Sequence, residues 1–255
     1  MTCMQMNRHR MNDSNGAYGG IFFSGLSLPI GMVVLVWMGV LFLLCQPIWS
    51  RRQLSSAEQA IQRQGMVDVE TLGAGIRVSL MYGRADNFTG KVLYSDITRA
   101  YLHPKAAEAL VKAQHILKKS HPRWSLVVYD AARPMSVQQK MWNEVKNTPQ
   151  SIYVSNPARG GGLHNYGMAV DISICDEHGD TITMGTKIDY MGTASHIDRE
   201  EQLVKLGRLA REQVRHRQLL RQVMQAAGFC TLRTEWWHFN FISRATARKY
   251  YQVIK

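Results

Sequence analysis

The stretch RGGGLHNYGMAVDIS, residues 159–173, sets three glycines ahead of His164 and places Asp171 seven residues beyond that histidine. The two side chains are too far apart in sequence to meet across one helical turn. Met168 to Ile172 reads as a short strand, and Gly167 permits a bend between the two residues. That arrangement aims an imidazole and a carboxylate at one point. A metal ion would give them a reason to converge, and the glycines would let the backbone approach a crowded centre.

Outward from this stretch the chain mixes strands and helices. GIRVSLMY (75–82) alternates as a strand does, and DNFTGKVLY (86–94) reads as a turn leading into another extended piece. A helix opens at Pro104 with a stripe of Ala106, Ala109, Leu110, Ala113, Ile116 and Leu117, and stops before Pro122. WSLVVYD (124–130) is a candidate buried strand. Ser136 and Gln139 suggest a capping box for a helix running through Lys146. LRTEWWHFNFI (232–242) is rich in aromatic and β-favouring residues and reads as one strand. No regular βαβ alternation is present, so the expected class is α+β, with a central, mainly antiparallel sheet flanked by helices.

The amino-terminal part differs in character. Leu28 to Cys45 is an uncharged apolar run of eighteen residues, just long enough to span a bilayer. A buried core helix would show an amphipathic face, and a cleaved signal peptide would have a shorter apolar core and small residues at the cleavage site. The reading favoured is therefore an anchor or uncleaved signal, which implies export and membrane attachment. Arginines flank the run on both sides (Arg8 and Arg10, Arg51 and Arg52), so charge does not fix its orientation. The expected organisation is a tail (1–27), the transmembrane or signal-anchor segment (28–45), a polar linker (46–66) and one folded domain (67–255).

The net charge is +12. Part of it lies in Ile197 to Gly228, read as a long helix with basic residues on its wet face. No zinc finger, helix-turn-helix or aromatic RNA-binding motif points to nucleic acid. Four cysteines, Cys3, Cys45, Cys175 and Cys230, form no CxxC pair and no disulfide framework.

The second unusual stretch is TEWWHFNF, in which Glu235 and His238 stand three apart in an apolar strand. Residues i and i+3 face opposite sides of a regular strand, so a bulge or a twist at the strand end is needed to bring both to one site. His164, Asp171 and His238 together would supply two nitrogens and one oxygen, a set suited to zinc with a fourth position open. Glu235 would then serve as general base and acid. Arg133, in YDAARP, offers a guanidinium for a developing oxyanion, or else pairs with Asp130. His196, in GTASHID, either buttresses the site or caps the following helix.

The pieces DNFTGKVLY, YDAARP, LHNYGMAVDIS, MGTKID and EWWHF resemble, in order and spacing, the VanX-type D-alanyl-D-alanine dipeptidases. These belong to a zinc peptidase group that also holds D,D-carboxypeptidases and the zinc-bearing Hedgehog signalling domain. The resemblance covers about residues 67 to 255. It implies one zinc ion per chain on His164, Asp171 and His238, Glu235 as general base and acid, and Arg133 as transition-state stabiliser. It further implies that Asp189 holds the free ammonium of a small dipeptide substrate. The family usually has a serine two residues before the first histidine ligand, where it helps hold the substrate carboxylate; this chain has Gly162, leaving backbone N–H groups or Ser155 as substitutes. An exported enzyme of this kind would scavenge wall-derived dipeptide. Two other readings stay open: a carboxypeptidase or endopeptidase trimming longer peptidoglycan stems, and a zinc-stabilised binding module without turnover. The sequence does not give the oligomeric state.

Overall fold

The structure is a computed structural model and describes residues 53–255. The tail, the apolar segment 28–45 and the start of the linker lie outside the described residues. Among the described residues no helix is long and apolar enough to cross a membrane.

The elements, in chain order, are α1 (Ser56–Arg63), β1 (Val67–Asp68), β2 (Arg77–Val78), β3 (Tyr101–Leu102), α2 (Pro104–Ser120), β4 (Ser125–Asp130), α3 (Met135–Val145), β5 (Ala169–Cys175), α4 (Glu200–Lys205), α5 (Arg211–Ala226), β6 (Cys230–Leu232), β7 (Glu235–Asn240) and α6 (Arg244–Tyr250). Five strands form one sheet in the order β2-β4-β5-β7-β6, and β1 pairs separately with β3. Within the large sheet only β2 and β4 run parallel; the other three pairings are antiparallel. The α+β class with a mainly antiparallel sheet is what the mixed order of elements led us to expect.

The central strand β5 is buried along its whole length, because each of its faces is covered. Its side chains Val170, Ile172 and Ile174 join Leu126 and Val128 of β4 and Trp236 and Phe239 of β7 in the core. Each such side chain contributes about 1.5–3 kcal/mol of transfer free energy. Helix α2 packs on β4 and on α5, and α5 packs against β6 and β7. The Nδ1 of His103 caps α2 by accepting from the Lys105 N–H, and Pro104 occupies the first turn, where its missing N–H costs nothing.

Several local expectations are corrected. Part of the polar linker is helix α1, closed by a capping box between Ser55 and Glu58. Glu58 is buried there because its second oxygen accepts from the Thr98 N–H and hydroxyl, which ties the helix to the domain. The basic stretch Ile197 to Gly228 is not one helix. Gly207 adopts φ +67°, a left-handed conformation that ends α4, and α5 begins only at Arg211. Helix α3 starts at Met135, ahead of the proposed capping box, with Pro134 as its cap and no side-chain cap bond. The N–H of Met135 is held instead by the carbonyl of Ile254 near the chain's end. Of residues 75–82 only Arg77–Val78 pairs as strand. Residues 86–94 form a turn, in which Asn87 Oδ1 accepts from the N–H and hydroxyl of Thr89.

Candidate metal and substrate site

Three neighbouring strands bring the polar residues into one row. Across the sheet Asp130 of β4 pairs with Asp171 of β5, and Asp171 pairs with His238 of β7. The expected single strand 232–242 is a hairpin, β6 and β7, whose register is irregular: Thr231 faces Phe239, yet the next residue, Leu232, faces Glu235. Trp236 to His238 therefore bulge away from β6, and this irregularity lets Glu235 and His238 border one cavity.

His164 is delivered by the single turn Leu163–Tyr166 just before β5. Asn165 locks that turn: its amide donates to the Arg133 carbonyl at 2.8 Å and its Oδ1 accepts from the Gly162 N–H at 2.9 Å. A β-carbon on Gly161 would lie 2.3 Å from that Oδ1, at φ +67°, so the position needs glycine. Gly167 closes the turn at φ +63°, where a β-carbon would meet the Met66 sulfur at 2.6 Å.

The inward atoms of the row converge. His164 Nε2 lies 3.3 Å from Asp171 Oδ1 and 3.2 Å from His238 Nδ1, and His238 Nδ1 lies 2.9 Å from Asp171 Oδ1. The outward ring nitrogens face oxygen acceptors: His164 Nδ1 donates to the Ala131 carbonyl at 2.7 Å, and His238 Nε2 donates to Asn240 Oδ1 at 2.9 Å. In the tautomers that keep both ring protons outward, the inward nitrogens carry lone pairs, and a carboxylate oxygen stands against them. In that state three lone pairs at this spacing repel unless a positive charge, a metal ion or shared protons, sits among them. Their separations also match the edges, about 3.3 Å, of a tetrahedron with zinc-like bonds of roughly 2.0–2.1 Å. The donor set thus fits a zinc ion. Burial works against the charge of Asp171, but without a metal it is protonated His164 and His238, donating inward, that hold its carboxyl well below the usual carboxylate range; a metal ion would take the place of those protons.

Arg133 sits beside this centre, buried. Its Nε and Nη2 donate to Asp130 Oδ2, and its Nη1 donates to Gln138 Oε1 at 2.9 Å. Asp130 is fully buried, and its other oxygen accepts from the Tyr94 hydroxyl at 2.6 Å. The pairing with Asp130 and a place on the cavity are therefore not alternatives, since the ion pair aims the guanidinium. Burial disfavours that charge, yet Asp130 and its surroundings hold the guanidinium more firmly protonated than usual.

Glu235 and Asp189 line the same cavity, of about 420 Å³. Burial, reinforced by Asp171 and Asp189, pushes the Glu235 carboxyl up to about 8. The Asp189 carboxyl is pushed up to about 7, by burial and then by Asp171. Asp189 has φ +66°, alone in the left-handed region among the described non-glycine residues. Its Oδ1 accepts from the Tyr82 hydroxyl at 2.9 Å, while its Oδ2 is buried with no hydrogen-bond partner. His196 stands at the N-cap position of the short helical turn Ile197–Arg199, but its side chain makes no cap hydrogen bond. Its Nε2 lies 2.9 Å from the hydroxyl of Tyr153, which borders the cavity.

All six residues singled out from the sequence thus border one cavity. Those the sequence reading missed support them: Tyr82 under Asp189, Tyr94 on Asp130, Gln138 on Arg133, and Asn240 on His238. Asn240 carried a signal, because residues two apart on a strand share a face. Ser155, the substitute donor that the sequence offers, has its Oγ 2.9 Å from where a β-carbon of Gly162 would be.

Comparison with known proteins shows the family to which the chain belongs. The sequence profile of the family described as D-ala-D-ala dipeptidase matches residues 62–255. A D-alanyl-D-alanine dipeptidase of Escherichia coli K12 is 33% identical over 181 residues, 71% of this chain and 86% of the relative. One from Enterococcus faecalis V583 is 25% identical over 203 residues, covering 73% of this chain and 96% of the relative. A third, from Synechocystis, is 29% identical over 175 residues, 56% of this chain and 70% of the relative.

Proposed function

Because the chain belongs to the D-ala-D-ala dipeptidase family, we propose that it hydrolyses D-Ala-D-Ala, or a closely related cell-wall dipeptide, to free amino acids, with one zinc ion on His164, Asp171 and His238. The observation that carries this reading is the convergence of three lone-pair-bearing atoms in a cavity that also holds the unpartnered Oδ2 of Asp189.

Zinc bound there would polarise the scissile carbonyl and lower the pKa of a coordinated water toward 7. Glu235, in its ionised form, takes a proton from the attacking water on its carboxylate and passes it to the leaving amine. Arg133 has used three of its five N–H groups on Asp130 and Gln138, which leaves two for the oxygen on which negative charge develops. Preorganisation by Asp130 means that no reorientation is needed as that charge forms. Asp189 Oδ2 would accept from the substrate's ammonium, and this interaction rewards a free amino end two residues from the carboxyl terminus. A longer peptide would bring an uncharged amide to the same carboxylate. The apolar run 28–45 supports an exported, membrane-attached enzyme acting on wall-derived dipeptide.

The test follows D-alanine release by the zinc-loaded chain and by its Glu235→Ala variant. The substrates are D-Ala-D-Ala and a tripeptide ending in D-Ala-D-Ala. Release from the dipeptide alone, lost in the variant while zinc is retained, supports the proposal. Release from the tripeptide would reassign the enzyme to trimming wall peptides, and silence on both would leave a binding role.

A further inference from the structure

A dipeptide carries charge at both ends, and the cavity borders contain two guanidinium groups, Arg133 and Arg244. Arg133 is neutralised by Asp130 and held on Gln138. Arg244, the first residue of α6, has no ion pair with a carboxylate among the described residues; its side chain's one hydrogen bond is Nη2 donating to Ser155 Oγ at 3.0 Å. We propose that Arg244, seated on Ser155, binds the substrate's free α-carboxylate in this chain. The inference rests on the dipeptidase reading and names the group that recognises the acid end.

The seat is built rather than incidental. The Ser155 carbonyl accepts from Gln138 Nε2 at 2.8 Å, and the other end of that amide holds Arg133. A chain of contacts Arg133–Gln138–Ser155–Arg244 therefore links the buried guanidinium to the exposed one of Arg244 at the cavity edge. Ser155 Oγ reaches this position because residue 162 has no side chain; a β-carbon there would lie 2.9 Å from the oxygen. Gly162 and Ser155 are thus complementary, and a residue with any side chain at position 162 would push the hydroxyl off Arg244. A carboxylate is the ligand class this pair fits, since a guanidinium fork and a hydroxyl both donate to a planar anion.

The experiment compares D-Ala-D-Ala with its carboxyl-terminal amide, which keeps the ammonium and the scissile bond, on the full-length, zinc-loaded chain. Wild type is expected to favour the acid. Arg244→Ala should lower kcat/KM for the acid about tenfold or more, chiefly through KM, and leave the amide unchanged, so that the preference collapses. Arg244→Lys should keep part of it, and Gly162→Ala should erode it by displacing Ser155. In a Glu235→Gln background, where turnover does not intrude, Arg244→Ala should weaken the Kd of the acid and not of the amide. An unchanged acid-to-amide ratio in Arg244→Ala would overturn the assignment while leaving the dipeptidase intact. No turnover of either compound by wild type would overturn the dipeptidase reading and this one with it.

Discussion

Replacing Asp130 with alanine should destabilise the domain far more than its three side-chain hydrogen bonds alone suggest. The carboxylate is fully buried, accepts from Arg133 Nε at 2.9 Å and from Nη2, and accepts from the Tyr94 hydroxyl at 2.6 Å. Its removal leaves the Arg133 guanidinium, 8% exposed, with no full counter-charge. Breaking one side of such a buried pair costs about 3–5 kcal/mol, because the remaining charge has lost its hydration and gained nothing. At roughly 2–4 °C per kcal/mol for a domain of this size, the midpoint should fall by about 6–20 °C. Thermal unfolding reads the midpoint and urea unfolding the free energy, each followed by tryptophan fluorescence and by circular dichroism, with chelator present so that zinc binding does not contribute. Adding Arg133→Ala to the variant removes the stranded charge and should restore part of the loss, a coupling that a double-mutant cycle isolates. The stranded guanidinium also has Asp171 Oδ2 as its next acceptor, at 3.8 Å, so Asp130→Ala should weaken zinc binding as well. A loss below about 1 kcal/mol, or a double variant no more stable than Asp130→Ala alone, would refute the argument that burial makes this pair costly to break.

Other outcomes follow from neighbouring groups. Asn240→Ala removes the acceptor that fixes the His238 ring, so zinc affinity, measured by competition with a chromophoric chelator, should drop about 10- to 100-fold with the fold intact. The Asp189 carboxyl lies near 7 in the free site, and a bound ammonium favours its charged form. Dipeptide binding just below neutral pH should therefore release a proton, counted by titration calorimetry in buffers of different ionisation enthalpy, and Asp189→Asn should abolish that release. Burial opposes the charge of Glu58, but hydrogen bonds from Thr98 and Ser55 hold its folded pKa below the usual 4.5. Its contribution to stability is complete above the unfolded pKa and is lost as pH falls through the folded one. The stability gap between wild type and Glu58→Gln should hence close on acidification.

Much of the site was legible because its chemistry allows few residue types. A histidine or carboxylate in an apolar stretch has a bland explanation by itself, as a hydrogen-bonded core group or an edge carboxylate, but two such stretches in one chain invite a common centre. The sheet was legible for the same reason at its core: β4 and β5 are long runs of β-favouring residues. What escaped was set by tertiary contacts with no local signature. Tyr82 and Asp189 stand over a hundred residues apart and meet only because the turn after β2 lies beside the left-handed residue Asp189. The hairpin of β6 and β7 read as one strand because Arg233 and Thr234 carry no glycine or asparagine to mark the turn. The helix in the linker is the exception, since its capping box Ser55-Ser56-Ala57-Glu58 is a local signal, and only its anchor, Thr98, forty residues from Glu58, lies beyond local reach.

The difference between what could and could not be read has a functional sense. Residues that touch a metal or a reacting atom must be of particular types, so sequence shows them. Residues that aim them need only offer a donor or an acceptor at the right distance, and many types at many positions can do so. Gly162 joins the two classes, since its lack of a side chain looks like a missing donor in the sequence. In the fold that absence admits Ser155 Oγ, and through it a guanidinium, to the edge of the cavity. Carboxylate recognition in this chain can therefore rest on a neutral hydroxyl that positions a cation instead of on a hydroxyl alone. Such a site should distinguish a dipeptide acid from its amide by charge, the property that the Arg244 variants measure.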